Sequence, residues 1–149
     1  MLTKLSSKLL TFCFFAISIA FVSCDNKIDD VIPLVEVNVR INTLSAEYID
    51  LQNVSGRAII KNEGYMRNGI IVFRASETEF KAYDCTCTYE VSDTCAVVLD
   101  ENNIAGAKCM HCNSKFELIN CGMPTSGKAM HSLKNYRVRY SEPYLIIRN

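Results

Sequence analysis

The sequence predicts an all-β domain, and three observations predict it. Short β-branched runs alternate apolar and polar residues, turn signals separate those runs at regular intervals, and no stretch sustains a helical period. The clearest alternation runs from Ile32 to Ile41: Leu34, Glu36, Asn38 and Arg40 share one side, and Val35, Val37, Val39 and Ile41 the other. Further strands are predicted over Arg57–Ile60, Ile70–Arg74, Phe80–Asp84, Ala96–Leu99, Lys115–Leu118, Tyr136–Tyr140 and Tyr144–Arg148. Ser55-Gly56, Asn62-Glu63-Gly64, Asn68-Gly69, Glu101-Asn102-Asn103 and Ser126-Gly127 supply turns between them. Ser45–Leu51 allows a short helical turn. Many short strands at this spacing indicate a sandwich or a barrel.

The chain has 149 residues, enough for one domain and too few for two well-packed ones. Sixteen basic residues balance sixteen acidic ones, which excludes the broad basic footprint of a nucleic-acid binder. A hydrophobic content of 49% excludes a disordered chain.

Residues 1–23 read as an export signal. Lys4 and Lys8 precede an apolar run from Leu9 to Val22, which is shorter than the ~20 residues of a membrane span. The run ends Phe21-Val22-Ser23-Cys24, which resembles a bacterial lipoprotein box whose cysteine, here Cys24, receives the lipid. Residues 24–31 then form the lipidated cysteine and a polar tether, and residues 32–149 the domain. The expected product is an exported protein anchored to a membrane of the cell envelope through Cys24, its leaflet open. Acyl chains anchor by apolar burial and need no basic patch. The tether, Asp25-Asn26-Lys27-Ile28-Asp29-Asp30, is similar to the surface-export signals of Bacteroidetes lipoproteins and equally reads as a solvated linker.

Of eight cysteines, Cys13 leaves with the signal and Cys24 carries lipid, so six belong to the domain. All six lie between Cys85 and Cys121. Cys85-Thr86-Cys87 closes one predicted strand, and Cys109-Met110-His111-Cys112 opens another. A C-x2-C turn lets two thiolates reach one metal at ~2.3 Å, and a second pair completes a tetrahedron. The spacing allows a site of Cys85, Cys87, Cys109 and Cys112, with His111 as a spare ligand. It equally allows disulfides, which an exported chain forms readily.

The segment Ala82-Tyr83-Asp84-Cys85-Thr86-Cys87-Thr88-Tyr89 and the segment Lys108-Cys109-Met110-His111-Cys112-Asn113-Ser114-Lys115-Phe116-Glu117-Leu118 resemble the two cluster boxes of Rieske iron–sulfur domains. Gly122, Ser126-Gly127-Lys128-Ala129 and Leu133–Val138 match the turn, loop and closing strand that follow in that family, and Gly69–Arg74 with Phe80–Asp84 matches the hairpin before the first box. The resemblance implies an antiparallel sandwich with a smaller cluster-loop subdomain, and a [2Fe-2S] cofactor serving one-electron transfer to a redox partner that the sequence does not name. It places Cys87 and Cys109 on the family's cysteine positions. Tyr89 and Cys112 then occupy the two histidine positions, so a two-imidazole centre does not carry over; a C-x-Y first box is similar to that of Rieske-like Bacteroidetes lipoproteins. Three outcomes follow: a [2Fe-2S] centre with Cys85 or Tyr89 supplying the missing ligand, a structural zinc held by Cys85, Cys87, Cys109 and Cys112, or no metal and loops tied by disulfides in a non-redox binding module. The family's loop disulfide suggests Cys95 and Cys121 as a pair. Ser114 stands where family members hydrogen-bond the cluster. Phe80, Tyr83 and Phe116 read as core, His131 as a surface histidine, and Met110, Met123 and Met130 as apolar cover near the site. No catalytic constellation is visible.

Overall fold

The protein is described by a computed structural model over residues 31–149, so the expected export signal, Cys24 and the expected tether up to Asp30 lie outside the described residues. The described chain is all-β. Ten strands form two antiparallel sheets. Strands β1 (Asn38–Asn42), β2 (Arg57–Ile60), β3 (Ile70–Arg74), β4 (Phe80–Asp84), β9 (Asn135–Ser141) and β10 (Tyr144–Arg148) make a six-stranded sheet in the order β1-β10-β9-β4-β3-β2. Strands β5 (Val97–Leu99), β6 (Gly106–Cys109), β7 (Lys115–Glu117) and β8 (Met123–Ser126) make the smaller sheet in chain order. A larger sheet with a smaller cysteine-bearing one is the expected layout.

Strands β2, β3 and β4 occupy the predicted residues. β1 is shorter than the alternation that announced it, although burial still alternates from Leu34 to Ile41. Its partner β10 ends at Arg148, opposite Asn38, so the ladder stops there. Upstream, the Asn149 side chain takes over, accepting from the Val37 N–H at 3.1 Å and donating to the Val35 carbonyl. Ala46–Gln52 forms a 3-10 turn where a short helical turn was expected.

Two strands escape a reading by pattern. β6 is Gly-Ala-Lys-Cys, which has no β-branched alternation and is held by ladders on both sides to β5 and β7. β8 contains Pro124 and lies at the sheet edge, where a missing N–H is tolerated. The finding also corrects the position of Cys109, which ends β6 instead of opening a strand. Residues 110–114 turn the chain back into β7.

β3 is buried along its whole length. Period-two geometry sends Ile70 and Val72 into one core and Ile71 and Phe73 into the other. The first core draws on all six strands of the large sheet and contains Val37, Ile41, Leu51, Leu145 and Ile147. The second lies under the small sheet and contains Tyr83, Phe116, Leu118 and Leu133 together with five cysteines. Polar links between the sheets set their relation. Tyr83 Oη donates to the Leu118 carbonyl at 2.7 Å, and Arg57 Nη1 donates to the carbonyls of Asp100 and Asn103 at 2.7 and 2.8 Å.

Candidate metal centre

Three segments converge at one end of the second core. The first leaves β4 at Asp84, a fully buried carboxylate. Its oxygens accept hydrogen bonds from Thr86 N–H (2.7 Å), Tyr65 N–H (2.7 Å) and Tyr136 Oη (2.6 Å). Cys85 donates its N–H to the Gly69 carbonyl, Val97 N–H donates to the Cys85 carbonyl, and Cys87 N–H donates to the Cys95 carbonyl. Residues 85–87 are thereby paired to 95–97, with Thr86 opposite Ala96.

The second segment is the turn after β6. Asn113 N–H returns to the Cys109 carbonyl at 2.9 Å, and Cys109 N–H donates to the Ser114 carbonyl at 2.8 Å. Asn113 takes a left-handed conformation (φ 58°), which asparagine accepts more readily than most residues. The third segment is the loop after β8. Lys128 and Ala129 both donate backbone N–H groups to Ser114 Oγ at 2.9 Å. Gly127 makes this approach feasible: at φ 95°, a Cβ there would stand 2.4 Å from Ser114 Cα.

These segments bring the sulfurs of Cys87, Cys109 and Cys112 within 4.8 Å of one another, all three residues buried. Cys87 Sγ and Cys112 Sγ are 3.5 Å apart, and both are free thiols. Cys112 Sγ also lies 3.1 Å from Ser114 Oγ. Burial pushes the Cys87 thiol up to about 12, against hydrogen bonds from the Tyr89 and Glu90 N–H groups that pull it down. Burial also acts to raise Cys112, but the hydroxyl and N–H of Ser114 and the adjoining Cys87 and Cys109 outweigh it, and the thiol lies below its ordinary value. The two neighbouring thiols are thus shifted in opposite directions.

The other sequence candidates lie elsewhere. Cys85 is a free thiol outside this group, and its sulfur faces Gly69, whose added Cβ would meet it at 3.4 Å. Burial and then the neighbouring Asp84 charge raise its thiol well above the ordinary range. Tyr89 is exposed and stacks beneath Lys128, whose Nζ is 5.3 Å from the ring centroid. The suggested Cys95–Cys121 disulfide is not formed, because Cys95 is a free, buried thiol. Cys95 Sγ instead lies 3.1 Å from His111 Nδ1, because the turn that aims Cys109 and Cys112 inward aims His111 outward. His131 is exposed, with its carbonyl accepting from Thr88 Oγ1 at 2.7 Å. Met110, Met123 and Met130 are exposed too, so they do not cover the thiols.

The donor set can be tested against each metal group. A two-iron cluster takes four protein ligands, two on each iron. Among the described residues this group offers three within 4.8 Å of one another, and Cys85 is not among them. This three-thiol arrangement is by itself one ligand short of a [2Fe-2S] cluster. It does fit one thiophilic ion. Sulfurs ~2.3 Å from a tetrahedral centre stand about 3.8 Å apart, close to the 3.5 Å between Cys87 and Cys112.

No protein-family model matches the chain, and no curated protein matches it by sequence. Among solved structures, the chain is similar to one from the "Complex of reduced oxygenase and oxidized ferredoxin in carbazole 1,9a-dioxygenase". The TM-score is 0.49 at 17% identity, covering 74% of this chain and 92% of that one. It is also similar to a Sphingomonas yanoikuyae B1 ferredoxin, with a TM-score of 0.40 at 14% identity, covering 54% of this chain and 74% of that one.

Proposed function

We propose that this chain is an exported, lipid-anchored envelope protein whose Rieske-like β domain holds one thiophilic metal ion on Cys87, Cys109 and Cys112. The convergence of three buried free thiols from two loops carries this reading. Zinc suits it, since thiolate sites of this kind fold around that ion and gain stability from it. The ion would clip the 85–96 loop to the 109–114 turn, while Ser114, held by two backbone N–H groups, orients the Cys112 sulfur. The apolar run ending at Cys24 supports export and anchoring. The module would then present its loops to a partner outside the membrane.

A second reading follows from the two boxes themselves. Their resemblance to Rieske boxes, and the Ser114 hydroxyl beside a ligand sulfur, favour a one-electron carrier with an iron–sulfur cluster. That reading needs a fourth ligand to move into the group.

Metal, inorganic sulfide and free-thiol analysis of the purified full chain separates the two. Zinc without sulfide, lost in Cys109→Ser, supports the single-ion site. Iron with matching sulfide and a reducible signal supports the carrier. A protein that, with its thiols reduced, takes up neither zinc nor an iron–sulfur cluster reconstituted from iron and sulfide overturns both.

A further inference from the structure

A second donor cluster flanks the three-thiol group on its solvent side. Cys95 Sγ, His111 Nδ1 and a Glu90 carboxylate oxygen all lie within 4.8 Å of one another. Nδ1 stands 3.1 Å from the sulfur and 3.1 Å from Glu90 Oε2. Cys95 is 1% exposed, whereas the His111 and Glu90 side chains are 60% and 47% exposed. The site therefore has a buried base and an open mouth.

The way the imidazole is used separates two explanations. In a nucleophile–base–carboxylate relay, the base meets the nucleophile through one ring nitrogen and the carboxylate through the other. Here the thiol and the carboxylate approach the same nitrogen. Nδ1 has a single proton or a single lone pair, so it cannot serve both fully. Three donor atoms closing a triangle are what ligands of one ion do.

We propose that Cys95, His111 and Glu90 form a second metal site, for a divalent ion of zinc's class, with its fourth position open to water. Sulfur, imidazole nitrogen and carboxylate oxygen are zinc's three protein donor types. Around a tetrahedral ion with bonds of ~2.0–2.3 Å, these donors stand about 3.3–3.6 Å apart. Closing that difference from 3.1 Å requires a small outward swing of two exposed side chains, while buried Cys95 stays fixed. Its loop is already anchored, since the Cys95 carbonyl accepts the Cys87 N–H at 3.0 Å. The 109–112 turn would then carry ligands for two ions on opposite sides, Cys109 and Cys112 inward and His111 outward. The outer site does not depend on the inner one being filled.

The test is a zinc titration of the full chain in detergent, reduced and stripped of metal, in competition with a chromophoric chelator. Wild type should bind two ions, and His111→Ala and Glu90→Ala one each. Both residues are exposed, so these variants should fold. Cys112→Ser should impair the inner ion and retain the outer one. Cobalt adds an independent readout: the outer ion should show a weaker thiolate-to-cobalt charge-transfer band, having one sulfur ligand against three. Wild-type stoichiometry and cobalt spectrum in both His111→Ala and Glu90→Ala would overturn the outer site. If wild type binds one ion, its loss in His111→Ala with survival in Cys112→Ser supports the outer site and removes the inner one. The reverse pattern overturns the outer site and leaves the inner one standing.

Discussion

Ser114 Oγ stands 3.1 Å from Cys112 Sγ while accepting the backbone N–H groups of Lys128 and Ala129, each at 2.9 Å. One fully buried hydroxyl therefore joins the second cysteine turn to the loop after β8. Ser114→Ala leaves two N–H donors without their acceptor, at a cost of about 1–3 kcal/mol. Urea denaturation should show a lower midpoint with an unchanged slope. An unchanged midpoint would mean that the 127–129 loop is not held by this residue.

Gly127→Ala attacks the same junction from the other side. The added methyl would meet Ser114 Cα at 2.4 Å, and the position requires φ 95°. A loss of roughly 1–3 kcal/mol is expected. Combined with Ser114→Ala, the two losses should sum to less than their separate values, because either change alone releases the loop. A double-mutant cycle by denaturation checks this, and full additivity would count against a shared junction.

Thiol ionisation should separate Cys112 from Cys87 in the metal-free, reduced chain. Cys112 lies below the ordinary thiol value, whereas Cys87 is pushed up to about 12. As pH rises from 6, iodoacetamide should label Cys112 first and Cys87 only under strongly alkaline conditions, read by peptide mass spectrometry. Ser114→Ala should shift Cys112 labelling to higher pH by removing the hydroxyl that stabilises its thiolate. Zinc should protect both.

Asp84 anchors the first cysteine loop by three hydrogen bonds from Thr86, Tyr65 and Tyr136. Asp84→Ala should destabilise the domain by about 3 kcal/mol, since buried donors lose a charged acceptor. Tyr136→Phe removes one donor and should cost clearly less. Thermal midpoints of the two variants, measured at one pH, give the comparison.

Asp100 supplies an acid-sensitive contribution. The Asn102 N–H holds its carboxyl below the ordinary value against the opposing effect of burial, aided by Lys108, Lys115 and Arg57. Its Oδ1 lies 3.8 Å from Lys108 Nζ and its Oδ2 3.9 Å from Lys115 Nζ. With the folded value below the unfolded one, this stabilisation is present above the ordinary carboxylate pKa of about 3.9 and disappears as pH falls through the lowered folded value. The stability gap between wild type and Asp100→Asn should therefore be constant near neutrality and narrow in strong acid. A gap independent of pH would remove the charge from the explanation.

Much of the fold is legible in local pattern. β2, β3 and β4 can be read from alternation and flanking turns, because a strand's two faces follow directly from residue order. β6 and β8 are not legible, since neighbouring ladders hold residues that have no strand preference of their own. The site divides the same way. Four box cysteines have metal-ligand spacing in the sequence, yet three meet and Cys85 does not. The Cys85 sulfur faces Gly69 instead, where an added Cβ would meet it at 3.4 Å. Cys109 and Cys112 meet because the chain turns between them.

The Cys95, His111 and Glu90 group left no trace in spacing, because its members come from separate stretches of two loops. By itself, the sequence determined an all-β class, the cysteine-rich loops and the residue types available for a metal. Tertiary structure alone decided which thiols face one another, that Cys95 meets His111 instead of Cys121, and that Ser114 ties the junction. The physical reason is range: side-chain direction repeats along one strand, whereas convergence depends on how separate loops are held by ladders and buried hydrogen bonds.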